Sequence, residues 1–190
     1  MHIEAKKGMI HLKGKKRKCT RILAVDPGNV ETGWVVTKSD GFSLKRPEDF
    51  GKDDNTELIE NTIPELLESG RIDVVAIEMV ESFGMAVGKS VFDTCVYIGR
   101  IVQLCEMMEV EWHFVTRKQE KLTICQSMRA KDVNIRQALV DRYAPGERNY
   151  GKGTKKSPGF FYGFRADIWS AFAVAETFLQ TARLYPESGA

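Results

Sequence analysis

The chain lacks the features that would place it in a membrane or in an oxidising compartment. No apolar run approaches the roughly 20 residues needed to cross a bilayer. Residues 1–20 carry lysines but no apolar central stretch, so they do not read as a secretory signal. Four cysteines, Cys19, Cys95, Cys105 and Cys125, are scattered without a C-x-x-C spacing. That excludes a zinc knuckle of the usual spacing and points to reduced thiols in a cytoplasmic setting. Charge of one sign is also scarce: 28 basic against 26 acidic residues leave a net charge of +2. Any binding to nucleic acid must therefore rest on local clusters, not on the total. No internal repeat and no second core are visible.

Local clusters exist. Lys6, Lys7, Lys13, Lys15, Lys16, Arg17 and Lys18 crowd the N-terminus. Arg117, Lys118 and Lys121 form a second group, and Lys152, Lys155 and Lys156 sit in a Gly-rich stretch. Each group alone fits a solvated face equally well. With 190 residues, 43% hydrophobic and 28% charged, the chain suits one soluble domain with a real core.

Within the segment RILAVDPGNVETGWVVT, residues 22–25 and 33–37 read as two strands joined by a tight turn. Residues 41–45 read as a third, short strand. A helix is expected from Asp53 or Asp54 to Glu68, with Pro64 awkward inside it. The run IDVVAIE, residues 72–78, reads as a strand buried on both faces. Residues 85–108 read as a long helix that is apolar nearly all round, which calls for a second partner such as another subunit. A strand at 112–115 and helices at 117–125 and 130–142 follow. Residues 144–163 read as a structureless loop of unusual length. A helix over 167–184 closes the chain.

Two of these strands end on acids. Burying a lone carboxylate costs several kcal/mol unless something compensates it. If strands 22–25 and 72–78 are parallel neighbours, alternation puts Ile22, Ala24 and Asp26 on one face, and Val74, Ala76 and Glu78 on the same side of the next strand. Such a pair either shares a proton or holds a divalent cation, and hard oxygen donors suit Mg²⁺ or Mn²⁺. Asp167, at the start of the last helix between small Ala166 and Ala171, is a third acid for the same place. Taken singly, Asp26 also fits a turn residue and Asp167 a helix cap.

The blocks AVDPGNVETGW, VVAIEMV, EKLTICQSMRAKDVNIRQALVDRY and RADIWSAFAVA, in this order, resemble the RuvC-type Holliday junction resolvases of the RNase H-like superfamily. The wording is closest to bacteriophage-encoded members. The resemblance spans residues 21–179. It implies an α/β fold, an RNase H-like mixed five-stranded sheet flanked by helices. Residues 21–184 would form that domain, after a basic extension at 1–20 and before a tail at 185–190. The implied activity is metal-dependent nicking of four-way DNA junctions by a homodimer, yielding 5′-phosphate and 3′-hydroxyl ends. Asp26, Glu78 and Asp167 would be metal ligands. Two ions of Mg²⁺ or Mn²⁺ are expected at each site, clamping both oxygens of the displacement. Lys121 and Lys131 would contact phosphate and stabilise the transition state. Lys118, Arg129, Arg136, Lys152, Lys155 and Lys156 are the further candidates for DNA contact.

The sequence departs from the family at two points. Another acid, or a histidine, usually precedes the last aspartate by three residues, where this chain has Phe164; Glu81 and Asp132 are the candidate replacements. Family members also place an aromatic wedge just after the second acid, where Glu81 stands here, and Phe83 is the nearby substitute. Two readings compete: another RNase H-like nuclease acting on RNA–DNA hybrids or flaps, and a non-catalytic module binding branched DNA. An actin-like ATPase or sugar kinase would need further phosphate-binding Gly motifs and about twice the length.

Overall fold

A row of buried residues on each face of one sheet organises the chain. The computed structural model describes residues 20–82, 84 and 87–184. The N-terminal lysine cluster, Phe83 and the tail 185–190 lie outside the described residues. The elements are β1 (Thr20–Pro27), β2 (Glu31–Ser39), β3 (Asp49–Asp54), α1 (Asn55–Glu57), a π turn (Leu58–Thr62), α2 (Ile63–Glu68), β4 (Val74–Met79), α3 (Lys89–Met107), β5 (Glu111–Thr116), α4 (Arg117–Cys125), α5 (Asp132–Tyr143), a 3₁₀ turn (Asn149–Gly151) and α6 (Ala166–Leu184). The five strands lie in the order β3-β2-β1-β4-β5. β1, β2 and β3 form an antiparallel meander, while β4 and β5 run parallel to β1.

Alternation along the strands divides the core in two. Ile22, Ala24, Val35, Val74, Ala76 and Val115 face α4, α5 and α6. Leu23, Val25, Trp34, Val36, Val75 and Ile77 face the π turn, α2 and α3. Both sheet faces are covered, which is why β4 reads as an unbroken apolar run. Every residue from Ala171 to Leu179 in α6 is buried. Each large apolar side chain there contributes about 1.5–3 kcal/mol of transfer free energy. The one acid in that stretch, Glu176, is fully buried but bound by Arg142, the Tyr143 hydroxyl and Gln180. Among the described residues, no helix is long and apolar enough to cross a membrane.

Several elements differ from the sequence expectation. Residues 41–45 form no strand: only a single bridge, Ser39 to Leu44, forms there. The third strand is β3, whose sequence DFGKDD has almost no apolar alternation to announce it. Gly51 in that strand lies against the Trp34 indole, where a Cβ would come within 2.8 Å of the ring. The helix expected up to Glu68 is broken into α1, the π turn and α2. Pro64 has no N–H to give to the preceding turn, and the widened π turn absorbs that loss. α3 begins at Lys89, and Phe92, Val96 and Met107 on it are 59%, 69% and 71% exposed. α5 starts at Asp132 with Lys131 as its cap, later than expected.

The segment 144–163 is not structureless. The Phe161 amide donates to the Gly151 carbonyl at 3.0 Å and the Gly159 amide to the Lys152 carbonyl at 2.9 Å. Phe161 and Phe164 are buried among Trp169 and Phe172, so the segment is pinned to the core by aromatic edge contacts. Its glycines permit this folding back: a Cβ on Gly159 would come within 2.9 Å of the Glu147 carboxylate and within 3.0 Å of the Gly151 carbonyl carbon.

Candidate active site

The site is built on one row of residues running across the sheet. Gly33 is paired with Asp26 on β1 and with Lys52 on β3. Val25 pairs with Ile77, so the next residues along these parallel strands, Asp26 and Glu78, stand side by side, about 4.8 Å apart between strand axes. Glu78 in turn pairs with Val115 of β5. Opposed residues share a face, so Lys52, Gly33, Asp26, Glu78 and Val115 all point to the layer of α4, α5 and α6. β1, β4 and β5 all end at this edge.

The turn after Asp26 is held by other groups. Asn55 donates to the Gly28 carbonyl at 2.9 Å from its side chain and to the Val30 carbonyl at 2.9 Å from its backbone. Thr32 donates to the Asn55 side-chain oxygen at 2.6 Å. Asp26 is thus released from turn duty and meets Glu78 instead. The two carboxyl groups share a hydrogen bond. Burial, that hydrogen bond, and the charges of Glu120 and Asp26 push the Glu78 carboxyl up to about 10, with Arg117 opposing. Glu78 is thus held toward its protonated form at neutral pH.

Gly33 positions the third acid. A Cβ there would lie 2.5 Å from the Asp167 carbonyl oxygen and 2.8 Å from the Asp167 Cβ, so only glycine lets the start of α6 rest on β2. This close approach, and not the small Ala166 and Ala171 alone, seats Asp167 over the row. Its carboxylate pairs with Lys52 Nζ at 2.9 Å, and the same ammonium pairs with Glu31 at 2.5 Å. These two anions hold the Lys52 ammonium above its ordinary pKa. Gly33→Ala is expected to destabilise the fold by about 1–3 kcal/mol through overpacking, read as a lowered urea midpoint at unchanged slope.

α4 brings a carboxylate that the sequence reading passed over. Thr116 and Gln119 cap this helix reciprocally: the Gln119 amide donates to Thr116 Oγ1 at 3.3 Å and the Thr116 amide to Gln119 Oε1 at 2.7 Å. The cap fixes α4 directly onto the end of β5, and Glu120 then points inward, with no exposed surface. Its Oε2 is bound by Arg117, which also grips Asp132. Its Oε1 is buried without a hydrogen-bond partner. Desolvation pushes the Glu120 carboxyl up to about 7; Arg117 opposes this, and Asp26 and Asp132 add to it. The signal was present: Glu120 lies one turn before Ile124, on the buried face of α4.

The other candidates are placed as follows. Glu81 Oε2 accepts from the Lys118 amide at 3.1 Å. Asp132 is mostly exposed and bound to Arg117. Phe164 is 1% exposed within the aromatic cluster, so that position serves the core. Lys121 is half-buried on α4, and Lys131 caps α5, its amide donating to Asn134 Oδ1 at 2.9 Å. Among the described residues, neither side chain forms an ion pair. Lys118, Arg129, Lys155 and Lys156 are exposed; Arg136 and Lys152 are half-buried. A cavity of about 200 Å³ opens beside the row, lined in part by Arg117, Asp132, Arg136 and Asp167.

The donor set fits a hard divalent cation in kind. Asp26 and Glu78 stand side by side on neighbouring strands, and a third desolvated carboxylate, Glu120, has an oxygen left over. Among the described residues, no three acidic, histidine or cysteine side chains stand close enough together to enclose an ion as they are. Protons and the cations Arg117 and Lys52 supply the compensating charge instead.

No protein-family model and no curated protein matches the chain. Solved structures do. RuvC of T. thermophilus in complex with a Holliday junction substrate aligns with a TM-score of 0.64 at 17% identity, covering 87% of this chain and 96% of that one. The yeast mitochondrial Holliday junction resolvase Ydc2 gives 0.58 at 12% identity, over 88% and 81%. The Fowlpox virus resolvase with its Holliday junction DNA gives 0.54 at 14% identity, over 85% and 98%. The fold is that of these Holliday junction resolvases.

Proposed function

We propose that the chain is a divalent-metal-dependent endonuclease that nicks four-way DNA junctions symmetrically by phosphodiester hydrolysis. The observation that carries this reading is the side-by-side placement of Asp26 and Glu78 at the sheet edge where Asp167 docks. A scaffold shared with junction resolvases supports it. Asp26, Glu78 and Asp167 would hold the metal, with Glu120 as the fourth carboxylate in place of Phe164. Glu120 is favoured over Glu81 and Asp132 because its Oε1 is buried and unpartnered, whereas those two are engaged at the surface. Mg²⁺ or Mn²⁺ there would supply Lewis acidity toward the scissile phosphate and its attacking water.

The protein's own groups do the rest. Glu78 and Asp26, side by side, would be the ligands on which a divalent cation could take over the charge compensation. Arg117 and Lys52 keep the remaining acids compensated and fixed in direction. Lys121 and Lys131 stand on either side of the short link between α4 and α5, where they add positive charge for the phosphate as negative charge grows on it. Lys118, Arg129, Lys152, Lys155 and Lys156 bind duplex arms through the backbone, so affinity falls steeply with salt. A junction offers two equivalent strands, and a twofold dimer offers two sites. The uncovered apolar residues Phe92, Val96 and Met107 of α3 are the surface for that second copy.

The test is a cleavage assay on an immobile four-way junction, a linear duplex and an RNA–DNA hybrid, with Mg²⁺ or with EDTA. Symmetric nicks in the junction alone, lost in EDTA, are the expected result. Cleavage of the hybrid in preference to the junction would replace this reading with the hybrid nuclease.

A further inference from the structure

The segment between α5 and α6 presents an aromatic ring in a conformation that the core alone does not require. Tyr150 has φ 54° and ψ 35°, a left-handed backbone uncommon for a bulky residue, directly after Asn149 at φ 54°. Such geometry persists only where the surroundings enforce it, and it concentrates at binding sites. Here the folded-back segment enforces it, through the Gly151 carbonyl bonded to the Phe161 amide and the burial of Phe161. The ring is nevertheless 44% exposed. The Arg136 guanidinium lies over it, 4.7 Å from the ring centroid. A cation over an aromatic ring is common at surfaces. Arg136 has a second, less common property: its Nε is buried and has no hydrogen-bond partner. The same arginine lines the cavity shared with Arg117, Asp132 and Asp167.

We propose that Tyr150 and Arg136 form a platform for one unstacked nucleotide of a DNA strand, its base against the Tyr150 ring and its phosphate on Arg136. This deepens the branched-DNA reading and rests on it. The chemistry is complementary. Every base has a face that stacks on an aromatic ring whatever its sequence. A phosphate is the natural acceptor for the Arg136 guanidinium, which lines the cavity and binds phosphate in a planar, two-point manner. Arg136 lines the same cavity as Asp167, so a strand held on Arg136 runs toward the acidic row. Continuous duplex keeps its bases stacked and cannot use Tyr150. The platform therefore favours junction branch points and single-stranded segments. Lys152, two residues on, adds charge for the adjoining phosphate without selecting between the two.

The experiment uses the full chain in EDTA, with 2-aminopurine placed at the branch point of a four-way junction or within a linear duplex. Anisotropy reports affinity and 2-aminopurine fluorescence reports unstacking. Wild-type protein should brighten the junction probe and leave the duplex probe dark. Tyr150→Ala should bind the junction about tenfold more weakly and lose the brightening, while Tyr150→Phe should retain both. Tyr150→Gly should lose them as well, yet unfold at an equal or higher temperature, because glycine adopts this backbone freely. Lys155→Ala with Lys156→Ala should weaken junction and duplex alike and keep the brightening. Tyr150→Ala with affinity within twofold of wild type and undiminished brightening overturns the platform. Wild-type protein that does not prefer the junction to the duplex overturns the branched-DNA reading itself.

Discussion

Asp26→Asn should lower junction cleavage about a thousandfold or more while leaving junction affinity within a few-fold of wild type. The two effects should separate because, in the proposed function, the groups assigned to chemistry and the groups assigned to DNA binding are different. Asp26 lies in the sheet row, where Glu78 stands beside it on the neighbouring strand. The cations proposed to bind DNA sit on α4, on the link to α5 and on the segment before α6. Asparagine keeps the shape and removes one anionic oxygen donor. Losing a metal-linked interaction worth several kcal/mol, at 1.36 kcal/mol per tenfold, gives that magnitude. Single-turnover cleavage in Mg²⁺ measures the first effect, and anisotropy across a salt series measures the second. A variant that cuts at the wild-type rate would remove Asp26, and with it the sheet row, from the chemistry.

How far the sequence could be read follows from what each residue had to satisfy. β1 and β4 were legible because both faces of the sheet are covered, which leaves an unbroken apolar run ending abruptly in an acid. Their parallel pairing fitted a right-handed crossover, and given that pairing the shared side of Asp26 and Glu78 followed from alternation. β3 was illegible for the opposite reason. It is an edge strand whose residues serve polar ends: Asp53 accepts from the Trp34 indole at 2.7 Å, and Lys52 reaches Asp167. Nothing in DFGKDD repeats with a period of two. Glu120 was missed because a charged residue in RKQEKLT looks like part of a solvated basic face. Only its one-turn spacing from Ile124 marks it as inward. Phe164 could be seen as a departure from the family pattern, but its purpose needed the fold. It fills a ring-on-ring cluster with Phe50, Phe161, Trp169 and Phe172, contacts that come from β3, from the segment before α6 and from α6 itself.

Glu78→Gln should abolish cleavage and, in metal-free protein, raise stability increasingly as pH rises. The folded protein holds the Glu78 carboxyl near 10, against 4.5 for an unperturbed glutamate. Between those values the folded state keeps a proton that the unfolded chain releases. Stability then falls with increasing pH. The favourable contribution is complete below about 4.5 and is lost progressively as pH climbs toward 10. Glu120, held near 7, adds to the slope over the lower part of that window. The slope belongs to the coupled cluster as a whole, so removing one member should flatten it without erasing it. Glutamine keeps a donor for Asp26 and cannot ionise. At pH 5 the variant and wild type should melt close together. At pH 8 to 9 the variant should be more stable by roughly 1–4 kcal/mol, because the wild type must take up a proton on folding at that pH and glutamine need not, or about 2–4 °C per kcal/mol in a domain of this size. Mg²⁺ should close the gap by raising the wild-type melting temperature more than the variant's, since only the wild type retains the full set of acids. Thermal melts at five pH values, with and without Mg²⁺, measure all of this. A gap that does not change with pH would mean that Glu78 ionises freely in the folded protein and that the sheet row carries no unresolved charge for a cation to meet.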